Sequence, residues 1–201
     1  NYATFNPLVK FAPNNSVYSS GNLGIQQTGG ASGSHACAMA TIAMSSGKWY
    51  AEFSDDTATY DGNRFGILNI NNLTNYTTSN PYIGWASDGY VIYKNSTNAV
   101  KENNGSSTNI GSNWTAGAII SVAVDIDNSK IWWRVNGGAW FGGGDPAAGT
   151  SPVFTIASGN TYAFAVSPYN NNGVTANFGQ RPFSYTPPSG YKALNTYNLP
   201  A

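Results

Sequence analysis

Four acidic residues that lie close together in the sequence are the first candidates for hydrolytic chemistry. They are Glu52, Asp55, Asp56 and Asp61. A pair of carboxylates, one acting as acid and the other as nucleophile, hydrolyses glycosidic bonds. The spacing lacks the E-x-D-x-E alternation that would place three carboxylates on one face of a strand. We therefore expect Glu52 to be a polar residue on the outer face of a core strand and the chain not to be an enzyme, with a glycoside hydrolase kept as an alternative.

Metal and cofactor chemistry have little support in the sequence. His35 is the only histidine, so a site built from several histidines cannot form within one chain. Asp125 and Asp127 resemble the first ligands of a calcium loop, but neither the glycine of its sixth position nor the glutamate of its twelfth follows. Cys37 is the single cysteine and lies among small apolar residues, where we expect a core side chain. We expect neither a metal nor a cofactor.

The charge of the chain limits the kinds of partner. The 201 residues include 9 Lys and Arg against 9 Asp and Glu, which gives a formal net charge of +0. Nucleic acid, which needs a basic patch, is not an expected partner. No apolar run approaches the roughly 18 residues that span a bilayer, so we expect no membrane insertion. Neutral polar surfaces are typical of adhesins, capsid and fibre proteins and sugar-binding modules, and a near-zero net charge leaves a homo-oligomer open.

Short alternating segments between clusters of Asn, Gly, Ser and Asp indicate which elements position these residues. Gly and Pro recur throughout, with 23 and 10 copies, and no long stretch keeps a 3.6-residue period, so we expect no helix. In GKWYAEF, Trp49, Ala51 and Phe53 share one face of a strand. Further short strands are RFGILNI, YIGWAS, YVIYKN, TYAFAVSP and VTANFG. This pattern predicts an all-β sandwich.

The stretch SVAVDIDNSKIWWRVNGG places two tryptophans side by side between two turn signals. After a turn at Asn128-Ser129, Trp133 shares the apolar face of the returning strand and is the predicted core tryptophan. Trp132 then lies on the outward face beside Arg134, where indole and guanidinium could stack. Either a terminal segment or a neighbouring strand covers Trp132, or its ring faces a ligand. The aromatic, proline-rich stretch QRPFSYTPPSGYKALNTYNLPA favours the first alternative.

Aromatic residues in or near the turn-rich connections are the candidates for binding, because loops on a rigid sheet carry most recognition sites. They are Tyr60, Tyr76, Tyr82, Trp85, Tyr90, Trp114, Trp132, Trp140 and Tyr169. Aromatic faces stack on sugars, while Asn, Asp and backbone groups supply hydrogen bonds. From the loops we predict a ligand or partner surface made of Tyr60, Asn63, Tyr76, Tyr82, Trp140 and Tyr169.

Several of these segments resemble, in the same order, the strands of SPRY (B30.2-like) domains. They are GKWYAEF, IGWASDGYVIY, AIISVAVDIDNSKIWWRVNGG, YAFAVSP and VTANFG. VDIDNSKIWWRVNG is similar to the family's V-x-D-x-D-x-x-x-[IL]-x-[FW]-x-x-NG hairpin, and FGQRPFSYTPPSGYKALNTYNLP resembles the ends of SPRY-like modules in phage structural proteins. The chain departs from animal SPRY domains in lacking an obvious PRY-like leader and in its Asn- and Gly-rich loops.

The resemblance implies a concanavalin-like sandwich of two antiparallel sheets without catalytic apparatus. Family members hold peptides or protein surfaces with loops at one end, and these loops vary, so no binding residue carries over by motif. We expect a sandwich over residues 1–183 and an extended tail over 184–201 that packs on the sandwich or on a partner.

The resulting functional hypothesis is a non-enzymatic module on a virion surface, extracellular when released. It would be a tail-fibre head or capsid decoration that contacts virion proteins or attaches to a host-surface protein or glycan. A lectin-like module for host polysaccharide is the alternative.

Overall fold

In the computed structural model, which describes residues 1–9, 11, 16–29, 34–56, 62–76 and 82–200, two β-sheets pack face to face. The strands are β1 (Ser16–Ser19), β2 (Gly24–Gln27), β3 (Ala38–Met39), β4 (Lys48–Asp55), β5 (Arg64–Asn69), β6 (Gly89–Lys94), β7 (Asn98–Asn103), β8 (Ser106–Ser112), β9 (Ala118–Asp125), β10 (Lys130–Val135), β11 (Phe154–Thr155), β12 (Tyr162–Ser167), β13 (Gly173–Asn177) and β14 (Lys192–Ala193).

The first sheet has the order β1-β2-β13-β4-β9-β10-β11, and the second has the order β3-β12-β5-β6-β7-β8. Neighbouring strands within both orders are antiparallel, whereas β14 runs parallel to β4. The helical structure in the described part of the chain is two 3₁₀ turns, Thr74–Tyr76 and Phe141–Gly143. No helix there has the length and apolar character needed to cross a bilayer. The predicted all-β sandwich of two antiparallel sheets is confirmed.

The core lies between the inner faces of the two sheets. Trp49, Ala51 and Phe53 of β4 all point into it, as the alternation in GKWYAEF predicts. The ring of Phe53 lies 6.2 Å, centroid to centroid, from Phe65 of β5 and 6.2 Å from Phe164 of β12. Aromatic rings at this spacing attract one another beyond their buried area, so these contacts hold the sheets together.

The predicted hairpin is formed by β9 and β10. Trp133 pairs with Val122, is fully buried in the core, and donates a hydrogen bond from Nε1 to the carbonyl of Phe65 in the opposite sheet at 3.1 Å. Asp125 accepts hydrogen bonds from the backbone N–H and the side-chain amide of Asn128, at 3.0 and 2.8 Å, and so closes the turn. In the described residues no group of three or more His, Cys, Asp and Glu could hold a metal ion.

The outer faces of both sheets are also covered. On the second sheet, Leu68 and Val91 pack under Tyr76 and Ile83, and Cys37 lies in the same cluster. Burial raises the pKa of the Cys37 thiol to about 11, so it stays protonated, with its sulfur 3.2 Å from the Ser167 hydroxyl. On the first sheet, Trp132 is fully buried in a cluster with Tyr191, which follows β13. Its Nε1 atom also donates to the carbonyl of Thr150, in the connection between β10 and β11, at 2.8 Å. In this fold the alternation along a strand therefore separates side chains of the inner core from side chains of a covered outer face, rather than buried side chains from solvent-exposed ones.

Candidate binding surface

Arg64, at the start of β5, is the centre of a cluster of aromatic and charged side chains on the outer face of the second sheet. Its guanidinium carbon lies 3.8 Å from the ring centre of Tyr82 and 4.6 Å from that of Tyr93. Its Nε atom donates to Oε2 of Glu102 at 3.0 Å, and both side chains are nearly fully buried. The aromatic faces and the carboxylate together compensate the buried positive charge.

His35 extends the cluster towards β12. Its Nε2 atom is 3.2 Å from Nη1 of Arg64, and its ring lies 4.9 Å from that of Tyr82 and 4.6 Å from that of Tyr169. Burial, and then the positive charge of Arg64, lower the pKa of His35 to about 3. The imidazole is therefore neutral near pH 7. Because arginine only donates, Nε2 must be the acceptor.

Tyr82 lies between the buried charged side chains of this cluster and the solvent-exposed Trp85. Its hydroxyl donates to Oε1 of Glu102 at 3.0 Å, and burial, with the nearby Glu102 charge, raises the pKa of this phenol. Trp85 packs edge-on against Tyr82 at 5.9 Å and is 59% exposed. The tight turn between them needs Gly84, which has φ +104° and leaves no room for a Cβ beside Val91. We call Tyr82, Trp85, Tyr93 and Tyr169 the loop-end surface.

Asn63, predicted as a surface residue, instead supports this region from below and is fully buried. Its amide nitrogen donates to Oδ1 of Asp55 at 2.9 Å and to the carbonyl of Gly173 at 2.8 Å. Its oxygen accepts the backbone N–H of Tyr169 at 3.0 Å. Buried backbone groups need hydrogen-bond partners, and the Asn63 amide supplies them where no neighbouring strand does. These hydrogen bonds explain why Asn63 is buried.

The other predicted surface residues do not join this cluster. Tyr76 is fully buried under the outer layer of the second sheet, where its ring cannot stack on a ligand, and burial raises its pKa. Tyr60 lies outside the described residues. Trp140 lies on the first sheet, with its ring 4.6 Å from the guanidinium carbon of Arg134. Arg134 thus stacks on Trp140 rather than on Trp132. The indole of Trp132 is fully buried, and its Nε1 atom donates to the carbonyl of Thr150 at 2.8 Å.

Two of the four acidic residues considered for hydrolysis, Glu52 and Asp55, lie on opposite faces of β4. Glu52 is on the outer face of β4, where its carboxylate accepts hydrogen bonds from the backbone of Ser184 and Tyr185. Asp55 is on the inner face, 3.3 Å from Nζ of Lys94. Side chains three residues apart on a strand point to opposite faces, so Glu52 and Asp55 do not form a carboxylate pair. Asp61 lies outside the described residues.

Five residues of the cluster were absent from the surface predicted from the sequence: His35, Arg64, Trp85, Tyr93 and Glu102. Arg64 is the first residue of the strand RFGILNI, and its alternation with Gly66 and Leu68 places it on an outer face. No local pattern pairs it with Glu102, which lies 38 residues further along the chain. Trp85 stands among the loop aromatics, and its exposure follows from the turn at Gly84 rather than from residue type.

Comparison with known proteins concerns the fold. No protein-family model matches the chain. The SPRY domain of human HERC1 superposes with a TM-score of 0.61 at 16% identity, over 86% of this chain and 100% of that one. The PSpry domain of TRIM65 superposes with a TM-score of 0.64 at 12% identity, over 88% of this chain and 92% of that one. The chain therefore has the fold of SPRY domains.

Proposed function

We propose that this chain is a non-enzymatic binding module that contacts a protein partner through the loop-end surface. The observation that carries the proposal is Trp85, which is 59% exposed yet packed edge-on against a tyrosine whose own position is held by buried charges. An exposed tryptophan on a rigid base gives large contact area with little loss of side-chain entropy on binding.

The residue types around Trp85 support a protein as the partner. Trp, Tyr and Arg are the side chains that most often carry the binding energy of protein interfaces. The charge of Arg64 is already compensated by Glu102, so the surface presents aromatic and neutral polar groups to a partner. Loops at one end of the sandwich are also where the SPRY resemblance expects peptides and protein surfaces to bind.

We further propose that the partner belongs to a virion or to the host cell that a virion meets. The support is compositional: 9% charged residues, and a C-terminal stretch that resembles the ends of SPRY-like modules in phage structural proteins. On this proposal the module is a fibre head or a capsid decoration.

A host-surface glycan is the second candidate ligand. Trp85 and Asn104 are both exposed, and the turn that carries Asn104 is hydrogen-bonded to the turn that carries Trp85, with Gly105 N–H bonded to the Gly84 carbonyl at 3.0 Å. An indole face beside an amide group is the combination that sugar-binding sites use.

The test selects ligands for the wild-type chain from a random-peptide display library and from a glycan array, then compares variants. We expect Trp85→Ala to weaken binding of the selected ligand by about 2 kcal/mol, which raises its Kd about thirtyfold. Tyr197→Ala, which removes a 93% exposed aromatic ring elsewhere, should leave binding unchanged. Loss of binding in Trp140→Ala but not in Trp85→Ala would move the site to the first sheet and contradict the proposal.

A further inference from the structure

A trough runs along β9 on the outer face of the first sheet. Two rows of residues cross it, and in each row the middle strand contributes a small side chain. The first row is Tyr50, Ala123 and Trp132, and the second is Glu52, Ser121 and Arg134. We call these six residues the outer trough. Ala123 and Ser121 leave a depression between larger walls, one row apolar and the other carrying a carboxylate and a guanidinium group.

The chain's own C-terminal segment, residues 183–194, covers the outer trough with residues 183–186 and Tyr191, while Leu194 at its end is buried in the core between the sheets. Glu52 accepts the backbone N–H groups of Ser184 at 2.8 Å and of Tyr185 at 2.9 Å. Nη2 of Arg134 donates to the backbone carbonyl of Thr186 at 2.7 Å. The trough therefore binds main-chain groups of three consecutive residues. Glu52 on one wall accepts their N–H groups, and Arg134 on the other wall donates to a carbonyl.

Aromatic side chains of the segment add specificity to this main-chain recognition. Tyr191 packs against the apolar row and donates from its hydroxyl to the carbonyl of Pro146 at 3.2 Å. Phe183 meets the ring of Tyr50 edge-on at 4.8 Å. The ring of Tyr185 lies over Gly137, where a Cβ would come within 2.3 Å of it. These are the features of a groove that binds an extended peptide, with main-chain contacts for affinity and pockets for side chains.

The bound segment also supplies a strand. β13 pairs with β4 as far as Glu52, and β14 pairs with Trp49 and Tyr50 of the same strand. The segment is joined to β13 through residues 178–182, and its contacts with the outer trough are noncovalent. A segment of identical sequence from another molecule offers the trough the same groups, and a net charge of +0 opposes no such approach.

We propose that the outer trough is a docking site for the C-terminal segment of a second copy of this chain, which can replace the molecule's own segment and link two molecules. The bound segment has the effective concentration of a tethered ligand, on the order of millimolar, so exchange is disfavoured in the wild type at lower protein concentrations. Exchange becomes visible once one molecule's segment and another molecule's trough are disabled.

The experiment mixes two full-length variants. The segment variant, Tyr185→Ala with Tyr191→Ala, keeps its trough, and the trough variant, Glu52→Ala with Arg134→Ala, keeps its segment. Each is expected to be monomeric alone at about 100 µM. Their equimolar mixture is expected to contain a species of twice the mass, measured by light scattering after size-exclusion chromatography. Mixing either variant with a second sample of itself is the matched control.

Two outcomes would overturn the proposal. A mixture that stays monomeric, with both variants folded by near-ultraviolet circular dichroism, shows that the segment docks only within its own chain. A species of double mass in either variant alone shows that another surface joins the copies. If the segment variant does not fold, the single change Tyr185→Ala replaces it, and if the trough variant does not fold, Glu52→Gln replaces it. Each single change removes one contact and keeps the rest of the packing.

Discussion

At the scale of single residues, Arg64 organises the loop-end surface, since it is stacked between two tyrosines and paired with Glu102. Removing one partner of a buried ion pair leaves the other charge uncompensated. We therefore expect Arg64→Met to lower the free energy of unfolding by about 3–5 kcal/mol in urea denaturation. The double variant with Glu102→Gln should lose less than the sum of the two single losses. Simple additivity would show that the two side chains are not coupled.

His35 makes a second prediction at this scale, on pH. Its pKa is about 3 in the folded chain and about 6.5 when unfolded. Between those values the unfolded chain binds a proton that the folded chain does not, so the free energy of unfolding falls as the pH is lowered through this range. The expected slope reaches about 1.4 kcal/mol per pH unit. It can be measured by urea denaturation from about pH 7 to pH 5, a range in which unperturbed carboxylates stay ionised.

The control for this measurement is His35→Gln, which removes the only histidine of the chain. The variant should show a flatter dependence of stability on pH over the same range, whatever its absolute stability. An equal slope in both proteins would assign the proton to another group.

Sequence reasoning succeeds for residues whose surroundings depend on their own strand, and fails where another segment decides. Trp133 follows from alternation alone. Asn63 and Tyr76 lie in or near loops, which favours exposure, yet both are fully buried because they contact residues that are distant in the sequence. Tyr76 lies under Phe11, with the two rings 6.3 Å apart and edge-on. No pattern within a few residues of Tyr76 announces that contact.

At the scale of elements, β4, β9 and β10 show that the alternation along a strand assigns side chains to a face but does not determine whether that face is covered. It assigns Tyr50 and Trp132 to outer faces correctly, and both residues are nevertheless fully buried. The C-terminal segment packs with both, and the connection between β10 and β11 also contacts Trp132. The aromatic, proline-rich composition of that segment was the one signal that something apolar must lie beneath it. Its parallel pairing with β4 depends on where β13 ends, which composition does not determine.

This covering makes a prediction for the segment. Tyr191→Ala removes a buried ring from the outer trough and should lower the free energy of unfolding by about 3 kcal/mol. It should also raise amide hydrogen exchange in residues 183–194, measured by mass spectrometry, because the segment loses its main apolar contact. Tyr197→Ala is the matched control, since that ring is 93% exposed. Equal effects of the two changes would show that Tyr191 does not hold the segment in place.

At the scale of the whole molecule, the ion pairs between described residues all include a buried side chain. Of three ion pairs between described residues, Arg64–Glu102 and Lys94–Asp55 are almost fully buried, and Lys48–Asp125 has one buried partner. The sandwich was predictable from strand patterns and from the SPRY resemblance. The loop-end surface was less so, because it unites side chains from several separate stretches of the chain.

This distribution of charge predicts how binding should respond to salt. Long-range attraction between a charged surface and a charged partner weakens as salt screens it. The loop-end surface presents aromatic and neutral groups, with Arg64 already paired internally. The Kd of a peptide or glycan selected on the wild-type chain should therefore change less than about twofold between about 50 and 500 mM NaCl, measured by isothermal titration calorimetry. A rise in Kd of tenfold or more would indicate that exposed charges, rather than Trp85 and its neighbours, dominate recognition.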